Sequence, residues 1–308
     1  MTKKPRIVCL MGPTATGKTD LAIALSQRLP CDLISVDSAM VYRGLSIGAA
    51  KPGAVTLKQF PHQLIDIRDP WEIYSAADFR ADAIAAIEAS VERGHIPLLV
   101  GGTMLYFKVL QQGIAELPEA DLAIRAQLEA DVVEHGLEVL HKRLQKVDPV
   151  AAARIHPNDP QRLQRALEIY ELTGESMTAL HQRQTEEPLP YECVNIALEL
   201  DRSILHQRIE QRFDAMLEDG FLEELKTLYD NPKINADLPA IKSVAYQQGW
   251  RYLSGEWDLA MMREKAIVAT RRLAKRQATW LRSWEGVHPI DALDEAEKKC
   301  ADIHALLL

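Results

Sequence analysis

The sequence predicts an α/β chain: a parallel sheet covered by helices, interrupted by an all-helical insertion. Three observations carry this. Short apolar runs at Arg6 to Met11, Asp32 to Val36 and Ile96 to Val100 alternate with helical periodicity, the pattern of a parallel sheet with both faces covered. From about Glu116 the pattern is helical only. At Val194 to Leu200 an apolar run returns as a strand, after which helices continue to the C-terminus. The expected organisation is therefore 1–115 as the first part of the core, 116–191 as the insertion, and 192–308 as the second part of the core. At 308 residues, and about 150 per domain, the length suits roughly two domains.

Each element has a local reason. The first strand runs into a Gly-rich turn, then into a helix marked by Leu21, Leu25 and Leu29. Between the second and third strands, Phe79, Ala83, Ile87 and Val91 recur at spacing four, with Ser75 as N-cap and Gly94 at the C-terminal end. In the insertion, Asp148-Pro149 and Asp159-Pro160 announce helices, because Asp caps and Pro fits the first helical position. Asp201 opens the helix carrying Ile204, Leu205, Ile209, Phe213 and Met216.

Composition narrows the class. With 47% hydrophobic and 26% charged residues the chain is an ordinary folded one. Its net charge of -8 requires a local basic patch for any polyanionic partner. Cys9, Cys31, Cys193 and Cys300 are dispersed and form no zinc or disulfide pattern, so they read as reduced thiols. No apolar run reaches the ~20 residues of a membrane span, and the N-terminal run is too short for a signal sequence. A cytoplasmic protein without membrane association is expected. The nine histidines show no metal-ligand spacing and read as surface or core residues; Trp250, Trp257, Trp280 and Trp284 read as core.

Gly12-Pro13-Thr14-Ala15-Thr16-Gly17-Lys18-Thr19 matches G-x-x-x-x-G-K-[ST] between a strand and a helix. This is a phosphate-binding P-loop: glycines let backbone N–H groups surround an anion, the helix N-terminus adds partial positive charge, Lys18 reaches phosphate oxygens, and Thr19 can hold Mg²⁺. In such a sheet the ligand lies beyond the strands' carboxyl ends, where Asp37-Ser38 and Gly101-Gly102-Thr103 also fall. The third strand ends in Gly-Gly-Thr without a carboxylate; only the second supplies one, Asp37. The usual hydrolytic apparatus is incomplete, which favours a transferase over a motor or switch.

The P-loop is followed in order by Asp37-Ser38-Ala39-Met40-Val41-Tyr42, Gly48-Ala49-Ala50-Lys51-Pro52, Leu64-Ile65-Asp66-Ile67, Tyr74 to Phe79, Val100-Gly101-Gly102-Thr103-Met104-Leu105-Tyr106, Ile155 to Arg162 and Lys275-Arg276-Gln277. With these motifs the chain resembles the bacterial tRNA dimethylallyltransferases over essentially its whole length. The resemblance implies a P-loop NTPase-like core and transfer of a dimethylallyl group from dimethylallyl diphosphate to N6 of the adenosine just 3′ of the anticodon, with Mg²⁺. It implies that the P-loop, Gly12 to Thr19, holds the diphosphate, and that Asp37, Thr103 and Lys18 are catalytic, with Thr19 on the metal. It implies tRNA contacts at Asp37, Ser38, Ala39, Met40, Thr103 and Arg125; at Gln161, Arg162, Leu163, Gln164 and Arg165; at Lys242, Ser243, Val244, Ala245, Tyr246 and Gln247; and at Lys275, Arg276, Gln277, Ala278, Thr279, Trp280, Leu281 and Arg282. The partner is a tRNA anticodon stem-loop, and the expected state is a monomer.

The residues agree with that chemistry. An exocyclic adenine amine is a poor nucleophile, so transfer needs proton removal and leaving-group stabilisation. Seven Lys/Arg against one acid lie between Arg263 and Arg282. Helical geometry puts Arg271, Lys275 and Arg282 on one face with Leu273 and Trp280 toward a core. Gln161, Arg162 and Arg165 lie opposite Leu163, Leu167 and Tyr170, while acids gather between Glu116 and Glu138. Two departures from the family pattern stand out: Met40 where many members have Gln, and Ala245-Tyr246-Gln247 where many read Gly-Tyr-Arg. Two other readings share the P-loop: a kinase for a nucleotide or small molecule, and a non-catalytic RNA-binding protein that responds to ATP or GTP.

Overall fold

A computed structural model describes residues 4–114, 117–183 and 189–307. The chain divides into two compact units, 1–112 with 188–308, and 113–187. The boundary expected between 115 and 116 falls on residues outside the described ones.

The first unit contains the strands β1 (Arg6–Met11), β2 (Cys31–Val36), β3 (His62–Gln63), β4 (Ile96–Gly101), β5 (Glu192–Glu199) and β6 (Val287–Asp291). Its helices before the second unit are α1 (Lys18–Ser26), α2 (Ala54–Gln59), α3 (Ala76–Glu92) and α4 (Met104–Gln112). The second unit holds α5 (Leu122–His135), α6 (Glu138–Val147), α7 (Pro149–Arg154), α8 (Pro160–Thr173) and α9 (Met177–Arg183). The chain then completes the first unit with α10 (Arg202–Glu218), α11 (Phe221–Tyr229), α12 (Tyr246–Leu253), α13 (Leu259–Arg282) and α14 (Ala296–Leu307).

The strands form one sheet in the order β3-β2-β4-β1-β5-β6, and every pair is parallel. Alternation along the strands gives each face its own core. Val8, Leu10, Leu33, Leu98, Val100, Ile196 and Leu198 pack with Leu21, Leu25 and Ile303 of α1 and α14. Ile7, Cys9, Met11, Ile34, Val36 and Leu99 point the other way and are equally buried.

The capping signals operate as the sequence predicts. Ser75 and Asp78 form a reciprocal capping box on α3, and Gly94 takes a positive φ after its end. Asp148, Asp159 and Asp201 cap α7, α8 and α10. Two short strands depart from expectation. β3 pairs only two residues with β2, and β6 sits where helix was expected. Of β6 only Ile290 is buried, and it contains Pro289, so an edge position without alternation hides it from pattern reading. All four cysteines are free thiols, and among the described residues no helix is long and apolar enough to cross a membrane.

At the start of α12, Ala245 is buried with φ 75° and ψ −53°, a region that glycine tolerates and alanine resists. Its N–H donates to Gln248 Oε1 at 2.9 Å, which holds it there. Such strain costs of order 1–3 kcal/mol, more than the roughly 0.5–1 kcal/mol that glycine loses in the unfolded chain. Ala245→Gly therefore raises stability, by up to about 2.5 kcal/mol, in urea unfolding; a lower urea midpoint would show that the strain is absorbed elsewhere.

Candidate active site

Three strand ends stop level with one another. In the β1–β4 ladder Met11 pairs with Gly101, and in the β2–β4 ladder Val36 pairs with Gly101. The loops leaving β1 and β4 run to opposite sides, which opens a crevice between them, the usual ligand position in an open parallel sheet. Gly101 permits the close approach: a Cβ there would lie 2.0 Å from the Val36 carbonyl oxygen.

The P-loop leaves β1 as a tight nest. Ala15 (φ 65°) and Gly17 (φ 88°) adopt left-handed conformations, which turns successive N–H groups inward. The Thr16 hydroxyl donates to the Pro13 carbonyl at 2.8 Å. Lys18 Nζ donates to the carbonyls of Gly12 at 2.9 Å and Pro13 at 2.7 Å, arching over the loop. From α13, the buried Gln277 closes the arrangement: Oε1 accepts from Thr14 N at 3.0 Å, while Nε2 donates to Gly102 O at 2.8 Å. One amide thus fixes the P-loop against the turn after β4.

The cavity beyond these ends has a volume of about 460 Å³. Thr14, Ala15, Gly17, Lys18 and Thr19 with Arg208 and Arg212 form its cationic side, and Asp37 and Gly101-Gly102 lie at the strand ends. Met40, Ala49, Ala50, Pro52 and His62 also line it. Burial pulls the Lys18 ammonium down to about 7, the Arg212 cation deepens the fall, and Asp37 opposes it. Arg212 is itself lowered, again chiefly by burial, with Asp37 and Asp20 working against the shift.

Asp37 Oδ1 accepts from Ala39 N at 2.8 Å and Met40 N at 3.2 Å. Both turn bonds land on one oxygen, so Oδ2 is not used by the turn. Thr103 Oγ1 accepts from Ser38 N at 3.1 Å and faces Ser38 Oγ at 3.5 Å. It couples the β2 and β4 turns, and the cavity wall reaches Gly102 without including it. Thr19, Asp20 and Asp37 offer the hard oxygens that suit Mg²⁺. Among the described residues no group of three His, Cys, Asp or Glu side chains could hold a metal, so these oxygens fit an ion that keeps waters and phosphate oxygens as its other ligands.

Several residues expected to touch RNA spend their side chains elsewhere. Leu163, Ala245, Tyr246, Gln277 and Leu281 are buried; Tyr246 donates to Glu224 Oε1 at 2.6 Å. In the second unit, Arg125 and Arg165 both bond the buried Glu168, at 2.8 and 2.6 Å. Burial pushes that carboxyl up, but bonds from Arg125, Arg165 and the Asp121 N–H outweigh it and hold Glu168 below its ordinary range. Gln164 donates to Glu129 Oε1 at 3.1 Å. Gln161 and Arg162 remain exposed on α8.

On α13 the buried face consists of Met262, Ala266, Ile267, Ala274, Gln277 and Leu281. Leu273 and Trp280 were expected to face the core, but Leu273 is half-buried and Trp280 is 37% exposed, with Lys108 Nζ 5.7 Å from its ring. Small residues, Ala266 and Ala274, bring the helix close and displace the expected stripe. Arg263 pairs with Asp214 and Glu210, and Arg271 with Glu210, which removes Arg271 from the expected open stripe. Arg272, Lys275, Arg276 and Arg282 are exposed. Lys275 and Arg282, with Arg202, flank a second groove of about 370 Å³ that Leu198, Leu205 and Leu281 also line.

Sequence reading missed Arg208, Arg212 and His62 as cavity residues. The two arginines sit at i, i+4 on α10, a spacing that was available but looks like any solvated helix face. His62 Nδ1 donates to the Phe60 carbonyl, which leaves Nε2 as a buried acceptor without a partner.

Comparison with known proteins adds four findings. A family model described as IPP transferase matches residues 40–284. A curated tRNA dimethylallyltransferase of Thioalkalivibrio sulfidiphilus is 56% identical over 288 residues, 93% of this chain and 90% of the relative. Among solved structures, a tRNA isopentenylpyrophosphate transferase of Bacillus halodurans shares 40% identity at a TM-score of 0.73, covering 99% of this chain and 96% of its own. A eukaryotic dimethylallyltransferase acting on tRNA shares 28% at a TM-score of 0.80, covering 98% of this chain and 78% of its own. With a P-loop at the strand ends and these relatives over nearly its full length, the chain belongs to the IPP transferase family.

Proposed function

We propose that this chain is a tRNA dimethylallyltransferase: it transfers the five-carbon group of dimethylallyl diphosphate to N6 of the adenosine 3′ to the anticodon. The observation that carries the reading is a single cavity with a P-loop and two half-buried arginines, Arg208 and Arg212, along one side, and a carboxylate, Asp37, at the strand ends. The P-loop amides, Lys18, Arg208 and Arg212 bind the diphosphate and neutralise the charge that grows as the allylic C–O bond breaks. As N6 forms its bond to the allylic carbon, Asp37 accepts the proton that N6 gives up. Thr103 holds the Asp37-Ser38 turn. Thr19 with Asp20 or Asp37 would hold Mg²⁺, which supplies further neutralisation of the leaving diphosphate.

The tRNA is reached through the exposed basic groups Arg272, Lys275, Arg276 and Arg282 of α13 and through Gln161 and Arg162 of α8. A single-stranded loop lets the target base swing out of its stack at modest cost. The named relatives transfer prenyl groups, which favours this reading over a kinase or a non-catalytic nucleotide-responsive clamp. A cytoplasmic monomer belongs to the same proposal.

Incubation of unmodified tRNA with the enzyme, Mg²⁺ and dimethylallyl diphosphate yields an adenosine heavier by one C5 unit in nucleoside mass analysis. Asp37→Asn keeps an oxygen for the Ala39 and Met40 amides but removes the base, so kcat falls about 10²–10⁴-fold while diphosphate still binds; unaltered kcat would take Asp37 out of the chemistry. Because burial holds Lys18 near 7, dimethylallyl diphosphate binding at pH 8 draws nearly one proton onto it, and at pH 6 far less. Calorimetry in buffers of different ionisation enthalpy reads this uptake, and Lys18→Met abolishes it. Equal uptake in the variant would place the proton elsewhere. Reversing charge at Lys275 and Arg276 weakens tRNA binding and reduces the salt slope by roughly two; an unchanged slope would mean that α13 does not meet the phosphates.

A further inference from the structure

The Gly48-Ala49-Ala50-Lys51-Pro52 motif has no role in the scheme so far, yet it is among the most heavily anchored segments of the first unit. The Glu224 carboxylate on α11 accepts three consecutive backbone N–H groups, from Ser46 at 2.9 Å, Ile47 at 2.7 Å and Gly48 at 3.1 Å. The Tyr246 hydroxyl donates to the same carboxylate at 2.6 Å and accepts from Ala49 N at 3.2 Å. Gly48 is pressed against the clamp: a Cβ would lie 2.5 Å from the Phe221 ring and 2.7 Å from that of Tyr246. Beyond it, the nearly buried Lys51 ammonium bonds Asp66 at 2.6 Å and the Tyr42 carbonyl at 3.0 Å. Ala50 is held at φ 53° between these anchors.

The segment so fixed ends in the cavity. Ala49, Ala50 and Pro52 line it together with Met40, while its phosphate side carries Lys18, Arg208 and Arg212. An allylic diphosphate has the same division, a multiply charged anionic head and a short hydrocarbon tail. We propose that the Ala49–Pro52 wall with Met40 is the seat of the donor's hydrocarbon group, and that Glu224 and Tyr246 are positioning residues which, by fixing this wall, restrict the donor to five carbons. The proposal rests on the prenyl-transfer reading. Hydrogen bonds from Glu224 and Tyr246 set the wall, so it does not yield to a longer chain, and small side chains leave room for a dimethyl terminus. Burial and the Glu224 charge both push the Tyr246 phenol above its ordinary range, which keeps it a neutral donor to the carboxylate.

The test measures steady-state transfer to tRNA from dimethylallyl and from geranyl diphosphate, and inhibition by inorganic diphosphate, for the wild type, Glu224→Gln, Tyr246→Phe and Met40→Ala. Tyr246→Phe removes the bonds to Ala49 N and to Glu224 but leaves the carboxylate on Ser46, Ile47 and Gly48, and guards against loss of folding in Glu224→Gln; Met40→Ala enlarges the seat without touching the clamp. In the clamp variants KM for dimethylallyl diphosphate rises about tenfold, kcat stays within threefold, and inhibition by inorganic diphosphate is unchanged. In all three variants the geranyl-to-dimethylallyl ratio of kcat/KM rises at least fivefold. A ratio at the wild-type value in Tyr246→Phe and Met40→Ala overturns the proposal, as does a rise in KM for tRNA in place of KM for the donor. A wild type that transfers no prenyl group from either donor fails the underlying reading instead, and is seen in the first arm.

Discussion

The site depends on a steric condition at the sheet's carboxyl edge. β1, β2 and β4 must end level and close enough for three turns to face one cavity, and Gly101 is where this is decided, since any Cβ there would collide with the Val36 carbonyl. Gln277 then fixes what the strands bring together, joining Thr14 of the P-loop to Gly102 through one buried side chain. A side chain on Gly102 would displace it, because a Cβ would lie 2.4 Å from Nε2. The cradle is therefore held by a contact 263 residues away along the chain.

Electrostatics follow from that enclosure. Two buried cations, Lys18 and Arg212, repel one another and lose hydration, and Asp37 offsets this only in part. A multiply charged anion between them relieves the repulsion, and once it is bound the lysine regains its proton. The folded chain gives up the Lys18 proton more readily than an unfolded one, so the contribution of Lys18 to stability grows as pH rises from about 7 toward the ordinary lysine value. The structure stores unfavourable charge in the place where the proposed leaving group would discharge it.

Much of this was legible in the sequence, and the reasons differ by residue. The P-loop, the caps at Ser75, Asp148, Asp159 and Asp201, and the strands β1, β2, β4 and β5 are local: spacing and side-chain chemistry determine them within a few residues. Asp37 and Gly101 to Thr103 were legible through the rule that ligands gather at strand ends. What escaped was set by contacts across the chain. Gln277 and Tyr246 have polar side chains that look available to RNA, and only packing shows them committed to Gly102 and Glu224. Arg125 and Arg165 are likewise claimed by Glu168. On α13, the Leu273 and Trp280 stripe was plausible by size, but Ala266 and Ala274 allow closer approach and turn another face inward. Ala245, noted as a departure from the family pattern, sits where a glycine would be relaxed.

The central claim is that the P-loop grips a departing diphosphate rather than a nucleotide awaiting hydrolysis. The most direct measurement follows the phosphorus of dimethylallyl diphosphate labelled at its terminal phosphate, in a reaction with unmodified tRNA and no added nucleotide. The account predicts intact labelled diphosphate in a one-to-one ratio with prenylated adenosine. Release of orthophosphate in step with turnover, or a strict requirement for ATP, would contradict it.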